Sequence, residues 1–431
     1  MIRWNEGLGR GLGSAYAGAL LLASLCAAPL AAQTIAITGG QVHTGTGEVI
    51  ENGTVVLVDG RIAAVGANAT VPTGATRVDA TGKVVTAGFF DAFTGLGVTE
   101  VDAESNTVDR GESNDHISAA FQLRDALNPF ATNVAVTRVD GITRAIVAPQ
   151  SFGSVLQGQG MYINLGGASA SAMVERSPVA MYATLGESGA AAAGGSRAAA
   201  MLLLREALDD ARDYARNREA YEGNRRRPYA LGRLDLEALV PVVRGDLPLV
   251  VSAHRASDIL AALQLKDEYG LQLVIAGAGE GWMVADELRA ARVPVITNAT
   301  VNLPTFETLA ISYENAARMA EAGVEVVLST FDVANVRNLR QEAGMAVSYG
   351  MDYETALRAV TVTPARVFGL ASSYGVLESG NVGDVVVWSG DPFEVTTAAE
   401  RVFIDGQEVP PDTRQRALLE RYRSLSGYPP R

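Results

Sequence analysis

The chain has three histidines, at 43, 116 and 254, and one cysteine, at 26, in 431 residues. Side chains that bind a metal or carry a proton near neutral pH are therefore scarce, and their places are informative. His254 closes an aliphatic run at residues 248–253, and Asp332 follows another at 324–330. A histidine and a carboxylate at two strand ends can share a site. The plainer alternatives are a histidine held by hydrogen bonds within a pocket and an aspartate capping the next helix. Glu280, in Gly277-Ala278-Gly279-Glu280-Gly281-Trp282, offers a further oxygen donor, or simply charges the start of a helical pattern at 281–291. Asp109, Glu112, Asp115 and His116 form a polar cluster, read either as a solvated loop or as a group reaching inward, and His43 falls in a β-rich block. There is no Gly-x-Ser-x-Gly elbow, no His-Glu-x-x-His and no phosphate loop, so those chemistries have no support.

The elements that must position these residues are of two kinds. Residues 34–42, 54–58 and 61–65 have β-branched, strand-like composition, with Asn52-Gly53 and Asp59-Gly60 as hairpin-turn signals. Residues 384–388 and 401–404, the latter followed by Asp405-Gly406, make a second such block near the other end. Neither block has strands enough for a sheet of its own, so the two are expected to combine in one small β-sandwich. Between them, aliphatic runs at 248–253, 271–276, 293–297 and 324–330 alternate with helical patterns at 257–269, 281–291, 312–322 and 336–349. Ser257 is the expected N-cap of the first helix, and Gly270 and Gly323 stand where helices end. Repeated strand–helix units predict a parallel sheet, and this length favours a (β/α)8 TIM-like barrel. Its chemistry would sit at the C-terminal ends of the strands, where His254 and Asp332 fall. A long helix is expected at 198–221, with a mobile Ala- and Gly-rich loop before it at 186–196.

The stretch Gly88-Phe89-Phe90-Asp91-Ala92-Phe93-Thr94-Gly95-Leu96-Gly97 resembles the signature of the amidohydrolase superfamily, in which a strand ends in Asp-x-His-x-His and both histidines hold a catalytic metal. Asp91 is present, but the histidine positions carry Phe93 and Gly95, and neither side chain can donate a lone pair. Val251-Ser252-Ala253-His254, Leu328-Ser329-Thr330-Phe331-Asp332, Thr361-Val362-Thr363-Pro364-Ala365 and Gly380-Asn381-Val382-Gly383-Asp384 extend the likeness over nearly the whole chain, closest to exported imidazolonepropionase-like members. The resemblance implies residues 33–86 plus 370–410 as a composite β-sandwich, 87–369 as the barrel and 411–431 as a C-terminal tail or helix. It also implies His254 and Asp332 as metal ligands, with Asp332 taking a proton from the attacking water, and Glu280 as a substitute for a missing histidine. Zinc or another divalent metal is thus the implied cofactor, or none, since two ligands without a chelating pair hold metal weakly. Lys83 and Lys266 are the only lysines, and neither is placed to bridge two metals.

Residues 1–32 read as a signal peptide: Arg3 and Arg10 precede an apolar run at 15–25, with cleavage expected between Ala32 and Gln33. A periplasmic or secreted location is expected. Cys26 and two arginines and one glutamate leave with it, taking the net charge from −13 to −14, which argues against nucleic acid or anionic membranes as partners. Two functions compete. One is an amidohydrolase of amide or cyclic C–N bonds with an impaired or atypical metal site, acting on a small molecule. The other is a catalytically inactive paralogue serving as a ligand-binding or partner subunit, as a homo-oligomer or with an active relative. Beside these two stands a third reading, a periplasmic solute-binding role for the barrel mouth with Phe93 and Trp282 as stacking surfaces.

Overall fold

The computed structural model describes residues 34–423 except 115, 151 and 152; the expected signal peptide and the end of the C-terminal tail lie outside the described residues. The chain begins with β1 (Thr34–His43), β2 (Val49–Val58), β3 (Arg61–Gly66), β4 (Thr76–Asp79) and β5 (Val84–Ala87). It continues through β6 (Phe89–Thr94), β7 (Ile142–Val147), β8 (Leu156–Asn164), β9 (Val174–Thr184), β10 (Leu249–Ala253), β11 (Leu273–Gly277), β12 (Val295–Thr297) and β13 (Val326–Leu328), and ends with β14 (Val385–Trp388), β15 (Ala399–Ile404) and β16 (Gln407–Glu408).

The strands of the two chain ends join in one sheet, because β5 pairs with β14 in antiparallel register, Val85 opposite Val387. That sheet carries its own apolar cluster, including Ile35, Val55, Leu57, Val85, Val385 and Phe403. Asp59 and Gly60, at φ 49° and 82°, make the tight turn between β2 and β3, and Asp405 and Gly406, at 51° and 68°, the turn between β15 and β16. Asn52-Gly53 departs from expectation. It lies inside β2, where a register shift against β1 absorbs Asn52 at φ 50° as a bulge.

The second sheet runs β6 to β13 in chain order and is a nearly closed barrel of the expected α/β kind. Its pairs are parallel except that β8 runs antiparallel to both β7 and β9. The connection at residues 148–155 is too short for a helical crossover, so β7 must return as a hairpin. Alternation sorts the strand side chains. Val250, Val274, Ala276, Ile296 and Val327 fill the lumen, while Leu249, Val251, Leu273, Ile275 and Val295 face the helices. A helix spans Arg197–Glu222 as anticipated, and Gly270 ends Ala256–Tyr269 in the left-handed region. Two local expectations fail. Gly186–Ala192 is a helix, not a loop, its first turn held by the Glu307 carboxylate, which accepts the Glu187 N–H at 2.7 Å. Arg255, not Ser257, is the N-cap of Ala256–Tyr269, and the Glu280 carboxylate takes the Ala256 N–H instead.

Candidate functional site

At the C-terminal end of the barrel lies a cavity of about 180 Å³, lined by Phe93, Gln150, Gln157, Thr184, Ser188, Ser252, His254, Ala276, Gly277 and Phe331. The alternation that buries Val250 also delivers Ser252 and His254 to the lumen side. Tyr182 and Thr184 on β9 follow the same rule. The His254 ring lies flat against the backbone at Gly277: a Cβ built there would meet its Cε1 at 2.5 Å, and Gly277 adopts φ 92°. Glycine is therefore required beside the imidazole. Burial holds the His254 pKa below its ordinary value, against the opposing pull of the Glu307 and Asp258 carboxylates. The ring is thus neutral at physiological pH and presents an acceptor.

Phe93 reaches this cavity through a register shift between Asp91 and Thr94. Its ring packs 4.8 Å from that of Phe331 and 5.6 Å from that of Tyr182. Phe331, at φ 53°, is the residue of the Leu328–Asp332 segment that faces the cavity. Asp332 does not line it. Its Oδ1 accepts the backbone N–H groups of Val333, Ala334 and Asn335 at 2.6, 2.8 and 3.0 Å. Partial burial pushes its pKa up, but those amides prevail and hold it below the usual carboxylate value. Gly95 is packed so closely that an added Cβ would lie 2.3 Å from Val333 Cγ1.

Asp91 has a different task from ligation. Wholly buried, it accepts the Thr330 hydroxyl at 2.6 Å, the Ser329 hydroxyl, and the Thr330 and Phe93 N–H groups at 3.2 Å. Burial drives its pKa up to about 6, moderated by these hydrogen bonds. Glu280 is likewise committed: Oε2 accepts from Ala256 at 3.0 Å and Oε1 from Ala310 at 3.1 Å, both backbone amides. Trp282 is outside the cavity, its indole N–H donating to the Ala310 carbonyl at 2.8 Å and its ring under Arg318. His43 pairs with Glu354 at 2.8 Å on the chain-end sheet. His116 is exposed and Asp115 lies outside the described residues. Among the described residues no three His, Cys, Asp or Glu side chains could hold a metal ion.

Among the described residues the donors at the cavity do not fit a divalent metal. Of the expected ligands only His254 faces the cavity, Asp332 spends Oδ1 and Glu280 both oxygens on backbone amides, and Phe93 and Gly95 offer none. Ser252 was accessible to sequence reasoning, since it shares the period-two face of His254. Gln150, Gln157 and Ser188 carry no local signal, being placed by the β7–β8 hairpin and the turn after β9, whereas Thr184 shares the lumen face of β9 with Tyr182. Nor did Arg144 stand out. Buried on β7, it donates to Asp384 at 2.6 and 2.9 Å and to Asp405 at 2.5 Å, riveting the barrel to the chain-end sheet.

Residues 283–409 match the profile of the amidohydrolase family. The chain is similar to "Amidohydrolase tasK" of Hapsidospora irregularis, 24% identical over 388 residues, covering 83% of this chain and 39% of that protein. It therefore spans about two fifths of that relative's length. Among solved structures, an amidohydrolase from Thermotoga maritima MSB8 superposes with a TM-score of 0.80 at 27% identity, covering 87% of this chain and 99% of the other. Molinate hydrolase, at TM-score 0.55 and 19% identity over 92% of this chain and 98% of its own, shares the fold. So does an adenosine deaminase from Xanthomonas campestris with bound zinc, at 0.51 and 18%, over 90% and 96%.

Proposed function

The chain belongs to the amidohydrolase superfamily, and from that premise we propose that it acts as a ligand-binding member whose barrel mouth takes up a small molecule without metal-assisted hydrolysis. The observation that carries this reading is the aromatic pair Phe93–Phe331, which lines the cavity where ligands would be needed. The commitment of Asp332 Oδ1 and of both Glu280 oxygens to backbone amides supports it. What remains around His254 is a set of neutral amides and hydroxyls, suited to orienting a bound molecule. Export of the mature chain, and assembly as a homo-oligomer or with an active relative, belong to the same proposal.

A second reading is a hydrolase of amide or cyclic C–N bonds. Superfamily membership supports hydrolysis in general, and the neutral His254 is able to accept a proton from water. Elemental analysis of the purified mature protein after exposure to zinc separates the two. The first reading expects well under one equivalent and no change of melting temperature with a chelator. A full equivalent, with clear chelator-induced destabilisation, would overturn it in favour of the second.

A further inference from the structure

Among the described residues no fixed charge lines the cavity. Its polar lining is Gln150, Gln157, Thr184, Ser188, Ser252 and His254, and no Lys, Arg, Asp or Glu is among the lining residues. Each of these side chains carries both a donor and an acceptor, so the lining can turn amide oxygens, hydroxyl oxygens or the unprotonated imidazole nitrogen toward a bound donor. The rest of the wall is Ala276, Gly277 and the aromatic pair Phe93–Phe331, whose ring centroids are 4.8 Å apart. Rings of this kind attract cations through the negative potential over their faces, most strongly where water is excluded.

The charges behind the lining lean the same way. Glu307 reaches in from the segment after β12 and binds the Glu187 N–H at 2.7 Å, so close to the backbone that a Cβ at Gly186 would meet its Oε1. Gly186 stands between Thr184 and Ser188, two of the lining residues. Asp258 is neutralised by Arg197 at 3.2 Å. Arg255, next to His254, is turned away, donating to the Phe306 carbonyl at 2.7 Å. Of the two carboxylates that pull on His254, Glu307 is the stronger and, among the described residues, is in no ion pair.

Resting on the ligand-binding reading above, we propose that the cavity selects a small aromatic or planar monocation, an amidinium or primary ammonium, over its neutral and anionic counterparts. Such a group is all donor, and the acceptor atoms of the lining can meet it, while the preference for charge comes from the rings and from Glu307. It sits against the Phe93–Phe331 wall with Glu307 behind it as counter-charge. A carboxylate would meet no Lys or Arg among the described lining residues and would be repelled by Glu307, and a neutral amide would forgo the attraction of rings and carboxylate. The cavity is comparable in size with those of about 150 Å³ that take up a benzene ring.

Calorimetric titration of the mature protein at neutral pH, with a chelator present, tests this using benzamidine, benzamide and benzoate. Benzamidine is expected to bind about tenfold more tightly than benzamide, the difference a desolvated cation–π contact supplies, with benzoate weakest. Glu307→Gln retains the acceptor for the Glu187 N–H but removes the charge. It should lower benzamidine affinity about threefold, a modest loss of charge attraction, and leave benzamide unmoved, whereas a merely structural role would weaken both. Benzamide or benzoate binding as tightly as benzamidine overturns the cation preference while leaving metal-independent binding intact. Failure of all three to bind overturns the inference. Binding that appears only when zinc replaces the chelator overturns the ligand-binding reading beneath it.

Discussion

The carboxylate of Asp91, on the first barrel strand, accepts the hydroxyl of Thr330, just past the last one, at 2.6 Å. With the neighbouring Ser329 hydroxyl and the Gly95 N–H, which donates to the Asp332 carbonyl at 3.1 Å, this bond closes the barrel where the β-ladder stops. A residue that belongs to a metal-binding signature by its neighbours is here a clasp between strands.

The clasp makes stability depend on pH. Burial raises the folded-state pKa of Asp91 from 3.8 to about 6. A raised value means that its contribution is fully present below about pH 4 and is lost as pH rises through about 6, by about 3 kcal/mol for a shift of this size. Asp91→Asn removes the titration while filling the same space. Thermal melts of parent and variant between pH 4 and 8 should therefore show the parent losing ground to the variant as pH rises. A gap that stays constant across this range contradicts the assignment.

Restoring a histidine pair is expected to fail for a steric reason. Gly95→His places a Cβ against Val333 Cγ1 and should destabilise by about 2 kcal/mol or more, as overpacking does. Phe93→His, at a partly open position, should be milder. Neither single variant nor the pair should bind zinc appreciably in titrations. Tight zinc binding by the double variant would mean that the segment around Val333 rearranges, and would reopen the metal reading.

Glu280 and Asp332 should behave as structural carboxylates. Glu280→Ala leaves the Ala256 and Ala310 amides without their acceptor, and a loss of about 1–3 kcal/mol is expected in denaturant melts. Asp332→Ala removes the acceptor of three amides and should cost about 1–2 kcal/mol. Ligand affinity at the cavity should change little in either. A large loss of affinity with unchanged stability would assign them to the site instead.

Arg144 should be among the most sensitive positions in the chain. Arg144→Met strands the buried Asp384 carboxylate and part of Asp405, for which about 3–5 kcal/mol is the expected penalty. Deleting residues 375–431 removes the same partners together with β14, so β1–β3 should lose amide protection in hydrogen exchange. Protected amides at residues 34–66 in a soluble truncated chain would show that this sheet does not need the other chain end.

Fold and site were legible to different depths, for a physical reason. Aliphatic runs at 248–253, 271–276, 293–297 and 324–330 read as strands covered on both faces, and β10, β12 and β13 lie within those runs while β11 runs one residue past its own, to Gly277. Asp59-Gly60 and Asp405-Gly406 marked turns because few other pairs accept two positive φ angles. These features are local, written in period and in backbone preference. The loss of side-chain donors at 93 and 95 was equally plain, as residue type alone decides it. What only the tertiary structure decided was direction and partnership. A single register shift aims Phe93 into the lumen, a positive φ at Phe331 puts its ring there in place of Asp332, and amides from distant loops occupy Glu280. Composition names the groups a chain possesses, but a carboxylate's role depends on which donors reach it first, and those donors lie tens to hundreds of residues away.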